Sequence, residues 1–107
     1  MSAGSGIRHS EMNASDETSV HFLQIWIEPD KAGHSPSYEQ VEIANDAGQN
    51  GFTVIAAPEG GPGAIGLNQD ATLALSKPQA GETVDVMLEA NRYGFLHIVS
   101  GEIESDG

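Results

Sequence analysis

Short runs of β-branched and aromatic residues, separated by turn-forming residues, recur along this chain of 107 residues. The strongest run covers residues 20–27, where Leu23, Ile25 and Ile27 share one face of a predicted strand. Phe22, Gln24 and Trp26 share the other face, so we expect both faces of this strand to be covered. No segment has a convincing helical pattern. Further strands are predicted at residues 7–12, 38–43, 52–56, 71–75, 83–88, 95–99 and 102–104.

Turn signals separate these predicted strands. Residues 45–51 combine Asp46 and Asn50 with two glycines, and residues 59–63 contain three glycines and a proline. About seven short strands with such turns predict an antiparallel sandwich or a small barrel. The chain has 13 glycines and only 38% apolar residues, which suits a turn-rich β protein or one whose core is completed by a second copy.

The charge and the cysteine count exclude several classes of function. Sixteen acidic residues face four basic ones, for a net charge of -12. Such a surface repels phosphate backbones and anionic lipids, so we expect neither a nucleic-acid nor a membrane partner. We interpret the charge as an aid to solubility or an adaptation to salt. There is no cysteine and no apolar segment long enough to span a bilayer, and we predict a cytoplasmic location.

Two spaced patterns occur in an unusual order. Residues 6–13 read G-x-x-H-x-x-x-N and resemble the tail of the second cupin motif. A pattern that resembles the skeleton of the first cupin motif follows later in the chain, at Gly81, Met87, Glu89, Gly94 and Gly101. A complete cupin carries the first motif before the second. The chain therefore resembles the back half of one cupin barrel joined to the front half of the next.

The first part of the chain is similar to the pirin-like bicupins, a family that includes quercetin dioxygenase-like enzymes. The similarity runs through residues 2–11, 21–27 with Pro29, and 36–40, and more loosely through residues 69–71 and 98–102. It implies an all-β, cupin-like jelly-roll or barrel that is permuted or completed by a second chain. We interpret residues 1–107 as a single cupin-like unit, in which 1–43 resembles the end of a first cupin and 52–107 the start of a second. Both ends are expected to fall inside the family's architecture.

The resemblance also implies a metal site. Pirin-like proteins hold one iron-type divalent metal with three histidines and a glutamate, and His9 and Glu11 match the later His-x-Glu pair. Residues i and i+2 of a strand point to the same face, so both side chains can reach one metal. The chain contains no H-x-H segment, however, and Met87, Glu89 and Gly94 cannot rebuild the second cupin's site. Another chain, or His21 or His97, would have to complete the ligand set.

These observations leave several functions open. We expect a pirin-like cupin unit with an incomplete metal site that acts as a non-catalytic binding or assembly module. The alternative is a metal-dependent, quercetinase-like dioxygenase whose site is completed by oligomerisation, and some pirin relatives suggest a transcriptional co-regulator. His9 and Glu11 then act either as half a metal site or as solvated residues kept by ancestry. Unpaired strand edges favour a homo-oligomer, most simply a homodimer, and a small-molecule ligand stays open.

Overall fold

One small mixed sheet forms the ordered centre of the chain. The computed structural model describes residues 1–106, and its strands are β1 (Thr53–Ala57), β2 (Ile65–Gly66) and β3 (Leu73–Leu75). The strand order is β2-β1-β3, with β1 parallel to β2 and antiparallel to β3. Residues 1–106 contain no helix, so the predicted all-β class is confirmed.

The register of β1 follows from its short partners. Thr53 faces Leu75, Val54 faces Ala74 and Ala56 faces Leu73, which leaves Ile55 as an extra residue in a β-bulge. The connection from β1 to β2 is much shorter than the crossovers that usually join parallel strands. So short a connection can bring the chain back alongside β1 because Gly60, Gly61 and Gly63 adopt positive φ angles of 62°, 139° and 73°. The sequence pattern predicted the turn at residues 59–63 but not the short strand β2 that follows it.

The buried core is made of small side chains. Ala47, Ala56 and Ala64 are its buried apolar residues. The turn of residues 44–51 packs against the end of β3 through Gly48, whose carbonyl accepts a hydrogen bond from the Lys77 amide at 2.7 Å. The Gly48 amide donates to the Thr53 hydroxyl at 2.8 Å. This turn therefore fixes where the chain enters β1 and leaves β3.

Residues 66–70 join the first part of the chain to the sheet. The Asn68 carbonyl accepts from the Asp30 amide at 2.7 Å, and the Asn68 side chain donates to the Ser2 hydroxyl at 2.7 Å. The Gln69 side chain donates to the Glu28 carbonyl at 2.9 Å. An isolated antiparallel bridge between Ser2 and Ser37 completes this junction. Polar contacts thus hold this junction together.

Several strand predictions are wrong in this structure. Residues 20–27 form no ladder, and Trp26, on a face that was expected to be covered, is 87% exposed. The alternating pattern gives these residues the capacity for a strand, but a strand also needs a neighbour that accepts and donates its backbone hydrogen bonds. The structure supplies no such neighbour within residues 1–106. The same holds for the predicted strands at residues 7–12, 38–43, 83–88, 95–99 and 102–104.

The outcome is an open chain with a large apolar surface. Its radius of gyration is 15.9 Å, against about 13 Å for a compact domain of 100 residues. The exposed area is 9554 Å², whereas about 5,700 Å² is expected of a compact monomer of 11.2 kDa. We name the two main exposed stretches the first apolar segment (residues 20–27) and the second apolar segment (residues 86–99). Their exposed members are Val20, Phe22, Leu23, Ile25, Trp26, Ile27, Val86, Met87, Leu88, Tyr93, Phe95, Leu96, Ile98 and Val99.

Across residues 1–106, no helix has the length and apolar character needed to cross a bilayer.

Candidate functional site

The structure brings the two predicted metal ligands together. His9 Nδ1 lies 3.3 Å from Glu11 Oε1, as expected for residues two apart on an extended segment. The segment forms no strand, because no ladder partner lies beside it within residues 1–106. Both side chains are open to solvent, with 35% of the His9 side chain and 60% of the Glu11 side chain exposed. One imidazole and one carboxylate can thus face the same small ion.

No further ligand completes this pair in the described part of the chain. Within residues 1–106, no three histidine, aspartate, glutamate or cysteine side chains lie close enough to hold one metal ion. His21 and His97, the two histidines considered for completing the site, are both exposed. A non-haem iron site normally needs two histidines and a carboxylate at least. The donor set present therefore does not fit the family's metal by itself.

The positions of the second cupin's ligands are equally unsuited to a metal. Met87 is 95% exposed, and Glu89 is exposed next to the turn that its carbonyl closes with the Arg92 amide at 3.1 Å. Gly94 lies against Leu88, whose Cδ1 would be 3.2 Å from a Cβ placed on the glycine. Nothing in this segment offers two donors to one ion.

Two ion pairs were missed by the sequence analysis. His34 Nε2 lies 2.6 Å from Asp30 Oδ1 at the junction, and this hydrogen bond lowers the pKa of the Asp30 carboxyl. Arg92 Nη1 donates to Asp70 Oδ2 at 2.6 Å. That hydrogen bond lowers the pKa of Asp70 and raises the pKa of Arg92. The Arg92–Asp70 pair ties the second apolar segment to the loop after β2.

We predict a small acid-sensitive contribution from this second pair. Because the pKa of Asp70 is lowered from its ordinary 3.8, the pair stabilises the fold above that value. The contribution disappears as the pH falls through the lowered pKa, and solvent screening keeps it small because the pair is exposed. Asp70→Asn should therefore lower the stability slightly at neutral and alkaline pH and leave it unchanged below the lowered pKa, so that the acid side of a stability-against-pH curve becomes flatter. An unchanged acid side in the variant would contradict the assignment.

Two surface depressions accompany these groups. A groove of about 280 Å³ lies over one face of the sheet and is mainly apolar. At its edge Glu39 Oε2 accepts a hydrogen bond from the Gly66 amide at 2.8 Å. A cleft of about 380 Å³ lies between the turn before β1 and residues 82–85. The groove is lined by Glu39, Gln40, Val41, Ile43, Ile55, Ala56, Ile65 and Leu73.

Comparison with known families and proteins gives consistent results. The family described as quercetinase C-terminal cupin domain matches residues 54–107, and the family described as pirin matches residues 1–27. The quercetin 2,3-dioxygenase of Escherichia coli K12 is 36% identical over 107 residues, which cover 100% of this chain and 45% of that protein. A protein of Pasteurella multocida, named provisionally for the same activity, is 41% identical over 106 residues, or 96% of this chain and 44% of its own length. No solved structure matches the chain.

A third relative carries a different name. A pirin-like protein of Caulobacter vibrioides is 36% identical over 108 residues, covering 100% of this chain and 46% of that protein. The chain thus spans about half the length of these curated relatives.

Proposed function

Since this chain belongs to the pirin-like family of cupins, we propose that it is a non-catalytic binding or assembly module with an incomplete metal site. The observation that carries the proposal is the donor set. His9 Nδ1 lies 3.3 Å from Glu11 Oε1, and no third metal-binding side chain joins them within residues 1–106. A two-donor chelate on an exposed segment competes poorly with water for a hard cation.

Assembly is supported by the exposed apolar surface. The chain exposes about 3,900 Å² more than a compact monomer of its mass would. A standard interface covers about 800 Å² on each partner, and only large obligate interfaces approach the required area. We propose that a second copy covers the first and second apolar segments, so that the halves of two chains pair as a homodimer.

The charge of the chain sets the conditions for this association. Each copy carries -12, and bringing two copies together adds repulsion that salt screens over about 10 Å at 0.1 M. Association should therefore strengthen with ionic strength, unlike pairing driven by opposite charges. Sedimentation at several protein and salt concentrations tests this point. A monomer at every concentration, in high salt as well as low, would contradict it.

The binding part of the proposal rests on the groove over the sheet. Its volume of about 280 Å³ is just below the usual range for small-molecule pockets, about 300–1,000 Å³. Apolar side chains with one carboxylate at the edge suit a small, mostly apolar ligand. The cytoplasmic location and the lack of nucleic-acid and membrane partners stay predictions from charge and composition.

The second candidate is a metal-dependent dioxygenase of the quercetinase type. The relative in Escherichia coli named quercetin 2,3-dioxygenase favours it, at 36% identity over 107 residues of this chain. It requires donors from a second chain to reach His9 and Glu11. Oxygen uptake with a flavonol and added iron would support this candidate, provided the His9→Ala/Glu11→Ala variant loses that uptake.

A further inference from the structure

Asn50 and Gly51 form the one Asn-Gly pair of the sequence, at the end of the turn before β1. Asn50 is exposed and Gly51 is half-buried, and both line the cleft of about 380 Å³. The proposed function makes no use of this pair. In such a pair, the backbone nitrogen of the glycine can attack the side-chain carbonyl carbon of the asparagine.

The structure leaves both reacting groups free. No hydrogen bond within residues 1–106 engages the Asn50 side chain or the Gly51 amide. Gly51 has a φ of +113°, and a Cβ placed on it would meet nothing within 4 Å. Glycine has no side chain to hinder attack through its nitrogen, and its backbone is the most mobile of any residue. The turn can therefore rotate into the geometry that the reaction needs.

The other asparagines provide an internal comparison. The Asn13 side chain donates to the Thr18 carbonyl at 2.6 Å, and the Asn68 side chain donates to the Ser2 hydroxyl at 2.7 Å. Asn45 and Asn91 precede Asp46 and Arg92, whose side chains hinder attack by their backbone nitrogens. The combination of a free amide and a following glycine occurs at Asn50.

We infer that Asn50 is a site of spontaneous deamidation in the folded protein. The Gly51 nitrogen loses its proton to water or hydroxide and forms a bond to the side-chain carbonyl carbon of Asn50. The bond from that carbon to the amide nitrogen breaks, and ammonia leaves. Water then opens the resulting five-membered imide at either carbonyl, which gives aspartate or isoaspartate. One water is consumed and one ammonia released, without any redox step.

The modification acts on the turn that leads into β1. The hydrogen bond from the Gly48 amide to the Thr53 hydroxyl, at 2.8 Å, closes the loop that contains Asn50. Isoaspartate lengthens the main chain inside this loop by one methylene, so the hydrogen bond can no longer form in the same register. The new carboxylate also lies in a cleft that Glu82 and Asp85 already line. Both effects weaken the attachment of the turn to the sheet.

The test is peptide mapping by mass spectrometry during incubation of the whole chain in warm, mildly alkaline buffer. We expect residue 50 to gain one dalton severalfold faster than Asn45 in the same turn. Folded and urea-unfolded chains should convert at similar rates at this position. Strong protection of Asn50 in the folded chain, or equal conversion of Asn45 and Asn50, would overturn the inference.

Three variants separate the chemistry from its consequences. Asn50→Gln should abolish the fast mass gain, since closing a six-membered imide is slower, whereas Asn45→Gln should leave it unchanged. Asn50→Asp adds the carboxylate without lengthening the main chain. If the aged wild-type chain loses stability and Asn50→Asp does not, the backbone isomer is responsible. A fast mass gain that persists in Asn50→Gln would place the reaction elsewhere.

Discussion

Replacing Gly48 by alanine is expected to lower the free energy of unfolding by about 3 kcal/mol. Gly48 has a φ of +81°, and a Cβ on it would lie 2.9 Å from the Cα of Ser76 and 3.0 Å from the Leu75 carbonyl oxygen. Backbone atoms cannot move aside as the end of a flexible side chain can. The clash would separate the turn from the end of β3 and break the 2.7 Å hydrogen bond from the Lys77 amide. Denaturant unfolding measures the loss.

Gly81→Ala is the matched control for this prediction. Gly81 has nearly the same φ, +83°, but a Cβ on it would meet nothing within 4 Å. In this variant the free energy of unfolding should fall only by the strain of alanine in a left-handed backbone conformation, about 1–2 kcal/mol. Equal losses in the two variants would show that the turn is not packed against β3 as described.

Replacing Trp26 by aspartate is expected to weaken self-association by about a hundredfold. Trp26 lies in the first apolar segment and is 87% exposed, so an effect on the isolated chain's own packing should be small. In the proposed homodimer the same side chain would be buried, and a carboxylate there would have to be desolvated without a partner. Sedimentation equilibrium of the wild-type and variant chains in high salt measures the change.

Met12→Asp serves as the control for Trp26→Asp. Met12 is also 87% exposed but lies outside both apolar segments. It adds the same charge, so it reports the general effect of further repulsion between acidic chains. Equal weakening by the two variants would assign the effect to charge and contradict the proposed interface.

The sequence predicted the centre of the fold better than its flanks. The apolar runs at residues 52–56 and 71–75 coincide with β1 and β3, and the turn at 45–51 lies where its glycines and Asp46 indicated. β2 was missed because Ile65 and Gly66 are too few to show an alternating pattern. The run at residues 20–27 has a stronger β pattern than any of these but no ladder. The local pattern sets the capacity of a segment to form a strand, whereas the neighbouring strand that it must pair with is set by the tertiary structure.

For the candidate site, too, the sequence predicted neighbours close in the chain but not pairs that are distant along it. His9 Nδ1 lies 3.3 Å from Glu11 Oε1, although the strand expected to place them on one face does not form, and metal binding by this pair stays a prediction. The pair of Asp70 and Arg92 could not be found from the sequence, since 22 residues separate them and only the folded loop after β2 brings them together. His34 and Asp30 lie in a loop of glycine, serine and proline, where their spacing carries no helical meaning.

The metal content of the purified chain tests the central claim most directly. The chain would be equilibrated with iron, nickel, copper or zinc, passed through a desalting column and measured by elemental analysis beside the His9→Ala/Glu11→Ala variant. With two exposed donors and no third within residues 1–106, we predict far less than one bound ion per chain, with no difference between the two proteins. Near-stoichiometric metal in the wild-type chain that is lost in the double variant would contradict the account.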